Sequence, residues 1–331
     1  MQTDRLNAVT SAQRAKAVAR AVALLRKGET VALPTETVYG LAADALNAMA
    51  VARIFEAKER PRFDPLIVHL PDRSWLEKIA DLPVSDRQLI LQLAEKFWPG
   101  PFTMVLPKQE IVPEIVTAGL DTVAVRISAH PVFAEVVCAF GKPLAAPSAN
   151  RFGRISPTTA RHVLNELDGR IPLVIDAGPT EHGIESTIVT IRKGRIDILR
   201  RGPIVAEQMS EFARVGIDPS SEKVSAPGQL PSHYAPKTPL QIVDDAQAFL
   251  PEPNQRCALL AWNVVLRNAE SKFVVVRKLS ERQDLREAAA NLFRYLHELD
   301  ELGLDLIVAE RVPEEGLGAA IMDRLSRAAK K

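Results

Sequence analysis

Apolar residues Val18, Val22 and Leu25 recur at helical spacing behind Ser11, and Gly28 ends the run, so a helix is predicted to open near Ser11. "TVALP" (30–34) follows as a strand, "VARIFEAK" (51–58) is helical and "PLIVHL" (65–70) is a second strand. A longer helix is predicted over roughly Asp86 to Phe97, ended by Pro99 and Gly100. Strands "FTMVLP", "TVAVRIS" and "PLAAPS" come next, with a helical segment near Phe133 to Phe140 before the last of them. "TTARHVLNEL" reads as a helix and "PLVIDAG" as a strand. "STIVTIRKGRIDILR" reads as a hairpin turning at Lys193–Gly194. Helices mixed with this much strand predict a large α+β domain over residues 8–209.

The pattern then lapses. Asp218 to Pro239 is rich in Pro and Ser and has no periodicity, so residues 210–239 are assigned to an interdomain linker. Beyond it, "LQIVDD", "CALLAWN", "KFVVVRK" and "DLIVAERV" read as strands. A helix bearing Leu285, Ala289, Leu292, Leu296 and Leu299 lies between the last two, with Ser280 and Gln283 fitting a capping box. A final helix starts near Gly318. Strand–helix alternation over residues 240–331 predicts a small α/β domain with a mainly parallel sheet.

Composition narrows the class. With 47% hydrophobic and 25% charged residues in 331, the chain has ample core for two globular domains. Forty-two basic against 41 acidic residues leave +1, which argues against gripping nucleic acid through bulk charge. Cys138 and Cys257, both in apolar stretches, supply neither a disulfide framework nor a zinc set. No cleavable signal or membrane-length apolar run is evident, so the cytoplasm is the expected compartment.

Candidate chemistry begins at "AKERPRFDPLIVHL" (57–70). Val51, Ile54 and Phe55 form a core face, and Lys58 continues that series at i+7, so it points inward. An ammonium placed there must snorkel, pair with an acid or meet an anion. Arg60 and Arg62, around the stiffening Pro61, add forked donors for phosphate or carboxylate oxygens. Glu59 and Asp64 offer the competing account, a salt-bridged surface. "PLAAPSAN" runs a strand into Ser148 and Asn150, which suits either phosphate binding at a strand end or an ordinary turn. "PTETVYGLAAD" does the same with Thr35, Glu36 and Thr37, where loop polarity is the plain alternative. Ser186 opens the hairpin and Arg200 closes it. Arg126 inside "VAVRIS" needs either an internal acid or a ligand. His69 on "PLIVHL" fits a core position. Phosphate-loop, dinucleotide, zinc-protease and nucleophile-elbow motifs are absent, and the six histidines lack metal-ligand spacing.

Taken together, "LPTETVYGLAADA", "AKERPRFDPLIVHL", "VAVRIS", "APSAN", "GIESTIV", "ILRRG", "APGQLPSHYAPKTPL" and "GLGAAIMDRLSRAA" resemble the threonylcarbamoyl-adenylate synthases, the YrdC-like family, in their long form. The resemblance runs from about residue 12 to 330. It implies a YrdC-like domain with a twisted mixed sheet and a small Rossmann-like C-terminal α/β domain. It also implies activation of threonine with bicarbonate or carbon dioxide at the expense of ATP, with Mg²⁺ on the phosphates. The product passes to a tRNA threonylcarbamoyltransferase complex, and a weak tRNA contact by this chain is left open. Lys58, Arg60, Ser148 and Asn150 match the family's catalytic quartet. Arg62, Thr122, Ser156 and Arg200 match further ATP contacts. Thr35, His69, Arg126, Ala146 and Ser186 match the threonine pocket. In long members the linker covers the site, and Tyr234 matches its nucleotide contact. Arg201 departs from the family pattern, in which proline is expected, and leaves open which adjacent arginine reaches the nucleotide. Two rivals are a carbamoyl-transfer enzyme of the hydrogenase-maturation type and a non-catalytic RNA-binding module.

Overall fold

The computed structural model describes residues 2–217, 233–262 and 272–330. Among these, eleven strands form one mixed sheet: β1 (Asp4–Asn7), β2 (Val31–Leu33), β3 (Gly40–Asp44), β4 (Ile67–His69), β5 (Phe102–Pro107), β6 (Thr122–Arg126), β7 (Leu144–Ala145), β8 (Leu173–Asp176), β9 (Thr187–Arg192), β10 (Arg195–Arg200) and β11 (Arg214–Ile217). Their spatial order is β1-β8-β2-β3-β7-β4-β6-β5-β9-β10-β11.

Alternation along the strands sorts their side chains to two faces. Val31 and Leu33 of β2, Leu173 and Ile175 of β8 and Leu144 of β7 pack with the Ser11–Arg26 and Pro131–Phe140 helices. Ala32, Val174 and Ala145 point the other way, into a core shared with helices Ala48–Lys58, Arg87–Phe97 and Ala160–Leu167. The domain is therefore a sheet between two helical layers, with a crevice at its strand ends.

A second sheet holds β12 (Leu240–Val243), β13 (Cys257–Ala261), β14 (Val275–Lys278) and β15 (Leu306–Glu310) in the order β12-β15-β13-β14, with every pair parallel. Every residue of β13 and β15 is buried, as expected of parallel strands covered on both faces. Helices Leu285–Asp300 and Leu317–Ala328 pack against this sheet.

Several expectations are corrected. The large sheet begins before residue 8, with β1 on β8, and continues past Met209, because β11 pairs parallel with β10. "PLAAPS" pairs as a strand over two residues only, since its chain leaves the ladder to form the Ser148 turn. Ser280 and Gln283 do not cap the Leu285 helix. Asp284 does, its carboxylate accepting from Arg286 N and Glu287 N, while Ser280 Oγ closes the preceding turn by accepting from Asp284 N. Cys138 is exposed although Cys257 is buried. The Pro/Ser-rich segment falls mostly on residues 218–232, outside the described residues.

Candidate functional site

Strand register assembles the site. β4 pairs parallel with β6 so that His69 opposes Arg126, and β7 runs antiparallel to β4 with Leu144 opposite His69. A bridge joins Gly40 to Ser148 just past these ladders, and β9 starts beside β5 with Thr187 opposite Phe102. Strands distant in sequence thus end at one crevice, where ligands of such sheets collect. Thr35, Arg60, His69, Arg126, Ala146, Ser148, Ser186, Arg200 and Tyr234 line one cavity there, together with Thr37, Val38, Gly40, Glu185 and His233. Its free volume is about 50 Å³.

Lys58 faces inward and is 1% exposed, as its helical phase predicts. Asn47 starts its helix by accepting from Met49 N and Ala50 N, and Glu59, at φ 52°, ends it. What the lysine meets is backbone: Nζ donates to Ser148 O and Asn150 O, each at 2.5 Å. It stands behind the cavity wall and anchors the turn that carries Ser148. Burial first, then the neighbouring Arg60, push its pKa well below the usual lysine value.

Arg60 is on the wall. Its Nη2 lies 2.8 Å from Asp64 Oδ2, with side-chain exposures of 4% and 0%, and it also donates to Asp64 O and Pro65 O. Burial raises the Asp64 carboxyl above its ordinary value while Arg60, Lys58 and Arg200 draw it down. Glu59 pairs instead with Arg170.

Arg126 resolves its two alternatives in favour of an internal acid, with capacity to spare. Nη2 pairs with Glu36 and Nη1 donates to Thr37 Oγ1 at 3.3 Å, while Nε is buried without a hydrogen-bond partner among the described residues. Glu36 is held by Ser128 Oγ and by Ala129 N. His69 packs 4.6 Å from the Phe133 ring, and burial with Arg126 alongside keeps its imidazole neutral. Thr35 Oγ1 donates to Val38 O at 2.6 Å and shares a 2.8 Å contact with Thr37 Oγ1.

Elsewhere on the wall, Arg200 donates to Ser186 O and Ser186 Oγ, and Ser186 Oγ contacts Thr103 Oγ1 at 2.8 Å. Arg201 lies apart, in a surface recess with Glu207 and Gly316, so Arg200 is the arginine that reaches the cavity. Tyr234 is 0% exposed, its hydroxyl lacks a partner among the described residues, and burial pushes its pKa up to about 12.

Other predicted residues stand further off. Arg62 is exposed on the turn after Pro61, and Thr122 is half-buried at the start of β6. Asn150 is buried behind the wall, its amide donating to Arg151 O and Arg154 O. Ser156 is also buried and donates to Glu185 Oε1 at 2.5 Å. Glu185 and Arg324 escaped the sequence reading, which named Glu36 among the polar residues at a strand end but not as the acid of Arg126. Neither carried a local signal that sets it apart from an ordinary loop acid or helix-surface arginine.

Two packed α/β units thus hold a crevice at the strand ends walled by buried arginines, hydroxyls and short polar turns. The Sua5–YciO–YrdC family model, described as "Telomere recombination", matches residues 23–202, and the model for the "Threonylcarbamoyl-AMP synthase, C-terminal domain" matches 202–330. The chain belongs to this family, in the two-part form. It is 41% identical to a threonylcarbamoyl-AMP synthase of Bacillus subtilis over 94% of this chain and 92% of that protein. It is 39% identical to one of Pyrococcus abyssi over 93% and 92%. The crystal structure of P. abyssi Sua5 complexed with L-threonine superposes with a TM-score of 0.87 at 36% identity, covering 99% of this chain and 98% of that one.

Proposed function

We propose that this protein is an L-threonylcarbamoyladenylate synthase, a nucleotidyltransferase that makes threonylcarbamoyl-AMP and pyrophosphate from L-threonine, bicarbonate or CO₂, and ATP. The observation that carries the reading is the buried positive charge on the wall of one cavity. Three buried guanidiniums, Arg60, Arg126 and Arg200, line it, and Arg126 Nε is still free to donate. The named relatives and the threonine-bound neighbour agree with it.

Arg126 Nε takes the threonine carboxylate, with Glu36 holding the guanidinium in place. His69, neutral, together with Thr35, Ser186 and the backbone at Ala146, lines the pocket for the rest of the amino acid. A hydroxyl-matched pocket rejects valine because its polar groups would be left unpaired. The threonine amine attacks the carbon of CO₂ and releases a proton to solvent, or that of bicarbonate with loss of water, and becomes a carbamate. A carbamate oxygen then attacks the α-phosphorus of ATP, and the bond to the pyrophosphate oxygen breaks. Negative charge accumulates on that leaving group, which Arg60 and Arg200 stabilise from fixed positions, with Arg62 reaching in from its turn. Lys58 and Asn150 hold the turn that presents Ser148. Thr122 and Ser156 complete the nucleotide's surroundings. Mg²⁺ would come with the ATP phosphates as part of the substrate and offset their charge. Tyr234, on the cavity wall beside His233, packs against the bound nucleotide. The product is then the threonylcarbamoyl donor for a tRNA-modifying transferase complex.

The test mixes protein, Mg·ATP, bicarbonate and labelled threonine. Pyrophosphate with a threonine-derived adenylate is the expected result. Turnover that requires carbamoyl phosphate, or RNA binding without turnover, refutes it.

A further inference from the structure

One fully buried cation reaches the site from the far end of the chain. Arg324, on the Leu317–Ala328 helix, is 0% exposed. Its Nε donates to Glu185 Oε2 at 3.0 Å, its Nη1 donates to Asp323 Oδ2 at 2.9 Å, and its guanidinium carbon lies 5.4 Å from the Tyr234 ring centroid. Nη2 is buried without a hydrogen-bond partner among the described residues. Glu185 and Tyr234 both line the cavity, and Glu185 is fixed from its other oxygen by Ser156 Oγ.

Two features make this more than packing. A carboxylate on the wall of a polyanion site repels the ligand unless it is neutralised, and Arg324 supplies that neutralisation. Tyr234 sits at φ +64°, a region that bulky side chains enter only when their surroundings hold them. Its ring is held by His233 at 4.1 Å, Phe293 at 5.4 Å and Arg324. The approach of the two units is built in as well. Gly183, two residues before Glu185, has φ +69°, and a Cβ there would lie 2.5 Å from Ala290 Cα. Only glycine lets the Glu185 loop lie flat on the Leu285–Asp300 helix of the C-terminal unit.

We propose that Arg324 is a positioning residue for ATP: from the C-terminal unit it neutralises Glu185 and seats the Tyr234 ring, so nucleotide affinity depends on how that unit docks. This rests on the cavity being the ATP site. The experiment compares wild type, Arg324→Lys and the charge-balanced Arg324→Met/Glu185→Gln pair, measuring KM for ATP and for threonine separately, with melting temperature as a control. Lysine keeps a positive charge for Glu185 and folds, and the double variant leaves no buried charge unpaired, so at least one stays assayable. In the double variant Glu185→Gln already removes the repulsion, so the expected rise in KM for ATP, on the order of tenfold, reports the unseated Tyr234 ring; the lysine variant, which keeps the charge beside Glu185, shows a smaller rise, and KM for threonine changes little in both. Unchanged KM for ATP in a folded variant, or equal rises for both substrates tracking lost stability, overturns the proposal. A wild-type protein without ATP-dependent adenylate formation overturns the functional reading instead.

Discussion

Replacing Arg60 by alanine separates what the residue does for the fold from what it does for the substrate. Arg60 and Asp64 bury their charges together, at 4% and 0% exposure. Removing one partner of such a pair costs about 3–5 kcal/mol, because the other charge stays buried and uncompensated. Losing the donors to Asp64 O and Pro65 O adds about 0.5–1.5 kcal/mol each. Against a domain stability of roughly 5–15 kcal/mol, Arg60→Ala folds but melts early. Its deficit depends on pH with a definite sign. Burial already raises the Asp64 carboxyl, and deleting Arg60 removes a group that lowers it. Between the ordinary carboxylate value and this raised one the native state binds more protons than the unfolded chain, so stability falls as pH rises through that window. The variant therefore gains on wild type as the solution is acidified. Asp64→Asn added to Arg60→Ala removes the stranded charge and restores most of the stability near neutral pH, while adenylate formation stays abolished in both. Urea unfolding at mildly acidic and mildly alkaline pH, paired with pyrophosphate release, reads all of this. A double variant that turns over like wild type refutes the assignment of Arg60 to the phosphates. A single variant as stable as wild type refutes the burial argument.

Arg126→Lys keeps a charge for Glu36 but loses the fork and the free Nε, so KM for threonine should rise about tenfold or more while KM for ATP moves little in steady-state assays. Lys58→Met leaves Ser148 O and Asn150 O without their donor, at about 1–3 kcal/mol each, offset in part by relief of a buried charge. Thermal melts should show a small net loss, and turnover should disappear. The stacked rings of His162 and His297, 3.9 Å apart, tie the units together, and burial lowers their pKa values to about 3 and about 4. The unfolded chain therefore binds more protons from the ordinary histidine value down to those values, and stability should fall as pH drops through that range. Phenylalanine at both positions should flatten this acid limb in pH-dependent melts.

How much of this was legible in the chain depends on the kind of contact involved. Lys58 was placed inward correctly because helical phase is a local property, fixed by Val51, Ile54 and Phe55 within two turns. Its acceptors were not legible, since they are carbonyls of Ser148 and Asn150, some ninety residues away, and a carbonyl leaves no mark in a sequence. The hairpin and the parallel C-terminal sheet were readable from alternation and from buried runs bounded by turn residues. β1 was not, being four residues with one half-buried side chain and no periodicity to announce it.

Glu185 and Arg324 mark the deeper limit. They are 139 residues apart and belong to different units, so the pair exists only through the docking of one unit on the other. Every local cue at Arg324 says amphipathic helix, and there an arginine is usually solvated; only the tertiary structure shows it to be the largest fully buried side chain among the described residues. That inversion carries physical information. A guanidinium is costly to bury, and hydrophobic residues of similar volume would stabilise the interface at least as well. Its presence is therefore poorly explained by stability alone and better explained by what it faces, an acid and an aromatic ring on the wall of a site that must accept a polyanion.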